Sequence, residues 1–407
     1  MLLTVTISAI TFTNNVKAAT KWNTSKSVTK EENGIKYSAY LTEDGKESWI
    51  YQIKLSKKIT KLTLPKEIGQ AKLTRVGFGK ELYNKGEDED AYQNLFGDTI
   101  EPWHNCYGDL SNDDKNKQTI ETVAIPSTVN QLEIATFSGM KKLKSVVIPE
   151  QTASVPAYTF AKCSALSKVT FSKNMNEIDS TAFVKSNQVK TFSCPKANKT
   201  FAVKKGMLTT RSGKTLVLVP NKMKKLTIPS SVKEIKANAL NGSQATSIVI
   251  PKSVKKIGAK ALESKKITKV SLSSKNKTYK MANNCIYRKS NGTLTAVLVK
   301  TKKITIPSKV KVIDDTVSVM GKIGTKNQVH IPKSVKKVVE DWMFFGDSAT
   351  VYFHGTKPPV IVSKFKGNEF TALPIFNKVY VPKKAKKTYI KWAKDRDGLK
   401  WNNLHTF

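Results

Sequence analysis

The chain has 407 residues, with 70 Lys plus Arg against 31 Asp plus Glu and a net charge of +39. Its hydrophobic content of 39% suffices for a narrow core but not for a chain embedded in a bilayer. Charge of that size makes copies repel one another, which favours a monomer, and draws the chain toward anionic surfaces.

Residues 1–18 read as an export signal without a basic start. Leu2 to Phe12 form its apolar core, and Val16-Lys17-Ala18 fits the small-residue cleavage rule, so a mature chain is expected from Ala19. The missing early Lys or Arg suggests a start codon placed too late. No later run is long and apolar enough to span a bilayer. Residues 19–58 read as an N-terminal β-hairpin cap, because Gly34 to Tyr37 and Trp49 to Tyr51 flank the turn signal Asp44-Gly45. A stack of repeats needs such a cover, since its open end exposes core and strand edge.

From Ile59 a phrase begins that returns until Pro382. Anchoring positions fall at Pro126, Pro149, Ser172 and Pro195, 23 residues apart, with later copies at Pro229, Pro251, Ser273, Pro307, Pro332 and Pro382. Each copy carries a Leu-x-x-Val-x-Ile core. A fixed period of roughly 20 to 29 residues with such cores marks a leucine-rich repeat solenoid. In one copy Leu143, Val146 and Ile148 face inward while Ser145 and Val147 face out. The proline has no N–H and ends the strand. A second apolar pair follows, as at Val129 and Leu132 or Val254 and Ile257, and then an anchor at Phe137, Phe160, Phe183, Leu240 or Leu262. No coil can bury these groups alone, so neighbours must stack. About twelve coils at ~4.8 Å would give a parallel sheet on the order of 55 Å long.

The period breaks three times inside the solenoid, which is set at residues 59–382. Residues 80–118 form a polar insertion with Glu87-Asp88-Glu89-Asp90, Asp109, Asp113 and Asp114. These carboxylates invite calcium, but no Asp-x-Asp-x-Asp-Gly loop is present and a solvated acidic loop is expected. Residues 197–221 and 276–300 read as parallel passages, each a hairpin inserted into a coil and turning at Ser212-Gly213 and Asn291-Gly292. After Pro332 the pattern loosens through Trp342-Met343-Phe344-Phe345. Residues 383–407 are expected as a helical cap, with Tyr389, Ile390, Trp392 and Ala393 among lysines and Trp401 packed against them.

The phrase Ile-Pro-x-Ser-Val-x-x-Ile-x-x-x-Ala-Phe-x-x-Cys-x-x-Leu-x-x-Val-x-Phe resembles the BspA-like (Treponema-type) leucine-rich repeats of bacterial surface and secreted proteins, over roughly residues 59 to 393. The resemblance implies a parallel sheet on the concave face, with short strands, turns and 3-10 or helical segments on the convex face. It also implies inserted hairpins and terminal caps. It further implies adhesion and contacts with host proteins or other cells, and it brings no catalytic residues. The lysine load, and Leu240 and Leu262 in place of Phe, depart from the family's pattern.

The side chains themselves offer little chemistry. Gly213-Lys214-Thr215 follows Gly206 at too long a spacing for a phosphate loop, and no helix follows. His104, His330, His354 and His405 form no metal motif, and Cys106, Cys163, Cys194 and Cys285 show no metal or disulfide spacing. Cys163 and Cys194 are expected at inward positions. No nucleophile elbow or acidic pair stands out. No catalytic residue, metal or cofactor is therefore assigned. An enzyme housed in the 80–118 insertion is one alternative.

Two other features suggest binding. The outward strand positions are mostly small, but turn aromatic toward the C-terminus. His330, Tyr352 and Tyr380, with Thr305 and Ser271, are the candidate ligand face; cross-strand packing is the competing reading. No acid falls between Asp179 and Glu234 or between Glu263 and Asp314, and both stretches contain an insert, which predicts two basic ridges. Candidate contacts to an anionic polymer are Lys204, Lys205, Arg211, Lys214, Lys224, Lys225, Lys269, Arg288, Lys289, Lys302 and Lys303. The expected protein is an exported, non-catalytic binding or adhesion protein, secreted or extracellular, free or held at the cell wall. Its expected partners are a host extracellular-matrix or cell-surface protein or glycan, and anionic cell-wall polymer. A nucleic-acid- or glycosaminoglycan-binding role is the other alternative, weakened by the predominance of Lys over Arg.

Overall fold

The computed structural model describes residues 21–77, 117–339, 349–362, 378–394 and 404–407. The expected export signal, nearly all of the 80–118 insertion, the Trp342 to Phe345 cluster and Trp401 lie outside the described residues.

The chain starts as an antiparallel meander of Trp22–Glu32, Ile35–Thr42 and Glu47–Leu55. Its first turn, Asn33-Gly34, has both residues at positive φ (54° and 79°), which matches the right-handed twist of the flanking strands. At Asp44-Gly45 the Asp44 carboxylate accepts from the Thr42 hydroxyl (2.6 Å) and the Lys46 amide (3.1 Å), and so closes the second turn. Glu47–Leu55 then pairs in parallel with Ala71–Val76, which in turn pairs with Gln131–Leu132. Arg75 locks this junction. Its Nε donates to Glu133 at 2.7 Å, and its guanidinium lies 3.8 Å from the centroid of the buried Trp49 ring.

Each solenoid coil gives one strand to a first sheet and a shorter strand to a second. Leu62, Val123, Val146, Val169 and Phe192 stand in register on five neighbouring rungs, all buried. After most first-sheet strands a proline carbonyl accepts from the amide three residues on, as in Pro126 to Val129 and Pro332 to Val335, both 3.1 Å. The second sheet consists of pieces of two or three residues, such as Glu177–Ile178 and Lys256–Ile257. These are the short convex-face strands expected from the resemblance, without, among the described residues, the 3-10 or helical segments expected beside them. Between the sheets Phe137, Phe160 and Phe183 stack at 5.5 and 5.7 Å. In four coils the corner before the anchor turns through a left-handed residue without glycine, at Ala135, Tyr158, Asn238 and Lys260.

The sheet and the inserts depart from expectation. The first sheet is not one continuous ladder but three, of five, three and five strands, interrupted after Thr191–Ser193 and after Lys269–Leu272. The inserts explain the breaks, and they are not protruding ridges. Each is a three-stranded meander: Phe201–Lys204, Met207–Thr210 and Thr215–Leu218 in one, Tyr279–Ala282, Cys285–Arg288 and Leu294–Leu298 in the other. The second and third strands of each are buried on both faces, so they divide the interior into three cores. Leu208 and Val217 face the first core while Met207 and Leu216 face the second; Ile286 and Leu298 face the second while Cys285 and Val297 face the third.

The two inserts share one fastening. Asn198 and Asn276, each 1% exposed, donate through Nδ2 to two carbonyls of the preceding coil and accept through Oδ1 from the two amides that open the first insert strand. The C-terminal segment holds a 3-10 turn, Lys383–Ala385, and a helix, Lys386–Lys394, that buries Tyr389 and Ala393. It is not wholly helical as expected: Leu404–Thr406 returns as a strand, parallel to Lys378–Val381.

Candidate functional site

The third first-sheet segment comprises Lys303–Thr305, Gln328–Ile331, Thr350–Phe353, Lys378–Val381 and Leu404–Thr406. Val329 and Ile331, Val351 and Phe353, and Val379 and Val381 point into the core, so the residue between each pair must point out. The parallel register places Thr305, His330, Tyr352, Tyr380 and His405 in one column. Strand spacing of ~4.8 Å leaves flat side chains in one column no choice but to stack. Centroids lie 4.4 Å apart for His330 and Tyr352 (5° between planes), 4.6 Å for Tyr352 and Tyr380 (11°), and 4.9 Å for Tyr380 and His405 (25°).

A second short column lies two residues farther along, where other coils carry proline. There His354 and Phe407 face one another at 5.2 Å. His354 Nε2 is 2.9 Å from His330 Nδ1, so one imidazole donates to the other. Phe407 remains 53% exposed, 6.1 Å from Tyr352. Six aromatic rings thus converge at the C-terminal end of the sheet.

Burial, Lys303 and His354 together depress the His330 imidazole to about 4. Burial and Lys303 also lower His354, while burial and Tyr380 raise the Tyr352 phenol. The His330–His354 pair is therefore neutral at neutral pH, and Lys303 and Lys378 stand at the strand starts. His330 is 9% exposed, and its Nε2 has no partner among the described residues. The faces between stacked rings are taken by ring neighbours, so the column offers solvent chiefly its electropositive ring edges and its phenol hydroxyls.

Of the sequence-predicted ligand face, the structure unites His330, Tyr352, Tyr380 and Thr305. Ser271 belongs to the separate three-stranded sheet, with Lys225 and Lys269 on its outer strands. Sequence reasoning missed His354, His405 and Phe407. The in–out–in pattern of Leu404-His405-Thr406 repeats that of Val379-Tyr380-Val381 and was the available signal.

The proposed polyanion contacts separate into two groups. Arg211 donates to the Pro195 carbonyl (2.8 Å), Arg288 to the Tyr279 hydroxyl (3.1 Å), and Lys289 to the Asn276 carbonyl (2.7 Å), so these three fasten the inserts. Lys204 is partly covered; Lys205, Lys214, Lys224, Lys225, Lys269, Lys302 and Lys303 are exposed. A shallow apolar groove of about 660 Å3 crosses the N-terminal sheet over Val147, Phe171, Pro149 and Pro195.

Cys163 and Cys285 are buried free thiols, whereas Cys194 is only half-buried. Among the described residues no three His, Cys, Asp or Glu side chains gather as metal ligands, and no helix is long and apolar enough to cross a membrane. The chemistry on offer is recognition by aromatic edges, hydroxyls and ammonium groups.

No curated protein matches the chain. Among solved structures it is similar to a leucine-rich cell surface protein from Faecalibacterium prausnitzii (14% identity, 86% of this chain and 98% of that one, TM-score 0.37). It is also similar to the pneumococcal vaccine antigen PcpA (15%, 93% and 97%, 0.37) and to a leucine-rich repeat protein from Eubacterium ventriosum (14%, 88% and 94%, 0.37). The family described as the BspA type leucine-rich repeat region matches in six copies over residues 115–205 and 220–350, more than half of the sequence. With the stacked coils and their register on view, the chain belongs to the BspA-type leucine-rich repeat family.

Proposed function

We propose that this chain is an exported bacterial surface protein that binds macromolecules without transforming them, and that its ligand face is the aromatic column at the C-terminal end of the first sheet. The observation that carries this reading is the convergence of His330, Tyr352, Tyr380, His405, His354 and Phe407 on one outward sheet face. Stacking alone would steady the sheet, yet the group ends in an exposed His405 and a largely exposed Phe407. Aromatic clusters of this kind are where binding energy concentrates. The expected ligand is a host extracellular-matrix or cell-surface protein or glycan. The charge of +39 adds sequence-independent attraction to anionic wall or matrix polymers.

The test is an array of purified matrix proteins, glycans and cell-wall fragments, probed with the wild-type chain and with the pair Tyr352→Phe, Tyr380→Phe. That pair keeps the stack but removes both hydroxyls; melting temperature should hold while retention on the cognate ligand falls. Tyr352→Ala with Tyr380→Ala should abolish it. Full retention by the alanine variant overturns the assignment of the face. Retention on anionic polymer should fall steeply with salt, and binding unchanged at high salt rejects the electrostatic part.

A further inference from the structure

From the first insert onward, the edge at which coils enter the second sheet carries a file of five lysines, three on successive rungs and two beyond the second insert, that neither packing nor ion pairing explains. Lys233 donates its amide to the Lys214 carbonyl, and Lys255 to that of Lys233, both at 2.7 Å, so Lys214, Lys233 and Lys255 occupy one position on successive rungs. Beyond the second insert the Lys311 amide donates to the Gly292 carbonyl and the Lys336 amide to the Lys311 carbonyl, both at 2.9 Å, so Gly292 holds the position first and Lys311 and Lys336 hold it on the next two rungs. All five side chains are exposed. Among the described residues none of their ammonium groups has an ion pair or hydrogen bond.

The same position in the N-terminal coils holds Thr74, Asn130, Ala153 and Asn176, so the fold does not ask for lysine there. One residue on, the chain handles charge in the opposite way: Glu234 and Lys256 are register partners and form a cross-rung ion pair at 2.8 Å. Like charges one rung apart repel, and an uncompensated file of them costs stability. A polyanion laid along the file would remove that repulsion.

We infer that this edge is a binding site for a flexible, single-chain phosphodiester polymer running along the solenoid axis. A single file at ~4.8 Å per rung meets charges that lie on one line. A duplex presents two strands, and a sulfated glycan points its charges to several sides of stiff rings. Lysine is a compact point charge, suited to one diester anion at a time, whereas a forked Arg would mark bidentate recognition. Among the described residues the file positions Lys214, Lys233, Lys255, Lys311 and Lys336 have no ring contact, so no stacking platform for a base is shown there. This inference deepens the electrostatic part of the proposed function and rests on it; the aromatic column has no share in it.

The experiment measures fluorescence anisotropy of labelled poly(glycerol phosphate) across salt concentrations. It compares the wild-type chain, a file variant (Lys214, Lys233, Lys255, Lys311 and Lys336 each to Asn) and a control of equal charge (Lys26, Lys54, Lys66, Lys141 and Lys142 each to Asn). Asn already serves at this position in two coils, so the file variant should melt with the wild type. At roughly 0.7 in log–log salt slope per phosphate contact, the file variant should lose about 3 to 4 units of slope and at least about tenfold in affinity. The control should lose less than about one unit. Equal losses in the two variants overturn the site while leaving general attraction standing; no wild-type binding even at low salt overturns the attraction itself. Duplex DNA or heparin displacing the probe as well as unlabelled polymer does would overturn the assignment to a flexible phosphodiester chain.

Discussion

Asn276 offers the sharpest test of how the solenoid holds its partitions. Its Nδ2 donates to Pro251 (3.2 Å) and Val254 (3.0 Å) in the coil before, and its Oδ1 accepts from Thr278 (2.9 Å) and Tyr279 (2.8 Å). The residue is 1% exposed, so truncation to Ala leaves two carbonyls and two amides in search of partners. Each buried group left unsatisfied costs about 1–3 kcal/mol, and water entering the new space recovers part of that, so about 3–5 kcal/mol is expected. Asn276→Leu keeps the volume and loses the bonds, which separates hydrogen bonding from packing. Because Tyr279 accepts from the Ile257 amide (2.9 Å) and from Arg288, the loss should spread into the second insert and not into the cap. Urea unfolding gives the magnitude, and amide hydrogen exchange at Tyr279 and Ile257 gives the location. Asn198 repeats the same four bonds at the first insert, so Asn198→Ala must cost a similar amount. Both Asn276 variants within about 1 kcal/mol of the wild type would refute the reasoning.

Three further outcomes are expected. Arg75→Ala should cost about 3–5 kcal/mol in thermal or urea unfolding, because it removes the cation that neutralises the buried Glu133 carboxylate at 2.7 Å; adding Glu133→Gln should recover part of the loss. The His330 imidazole sits below its ordinary 6.5 at about 4, so the unfolded chain takes up a proton first on acidification. The stability this pair contributes is complete above about 6.5 and is lost as the pH falls toward 4; melting temperature should drop over that window, and His330→Gln should flatten the drop. Burial pushes the Cys163 and Cys285 thiols up to about 12 and raises half-buried Cys194 less far. Iodoacetamide mapped by mass spectrometry should therefore reach Cys194 before the other two, which should react only on unfolding.

The 23-residue period was plain in the sequence because every coil must bury the same few groups. For the same reason Val146, Val169 and Phe192 could be placed on neighbouring rungs. Gly213 and Gly292 do turn their hairpins, both at φ 69°, but the inserts were misread as standing out in ridges. The apolar run Leu216-Val217-Leu218-Val219 has no polar alternation, and such a run belongs to a strand buried on both sides. Charge counting also mislaid Arg211 and Arg288, because a count registers cations but not the carbonyl or phenol that holds one. In the candidate site, His330, Tyr352 and Tyr380 followed from strand alternation. His354 and Phe407 did not, since they stand where the repeat elsewhere has proline. His405 was hidden by reading the last residues as helix.

The partitions also bear on where a ligand can be detected. Repeat arrays are stabilised by each unit and its neighbours, and here each insert is the only wall shared by two cores among the described residues. The aromatic column stands on the third core, whose boundary with the second runs through Ile286 and Val297. A ligand of the column binds a form in which the third core is folded, so it stabilises that core by mass action and reaches the first only through two walls. Hydrogen exchange with saturating ligand should thus slow at Val329, Val351 and Val379 and stay unchanged at Val146 and Val169. Slowing confined to the first core would move the site to the groove over Val147. Even slowing across all three would mean that the walls transmit stability fully and that the solenoid unfolds as one unit.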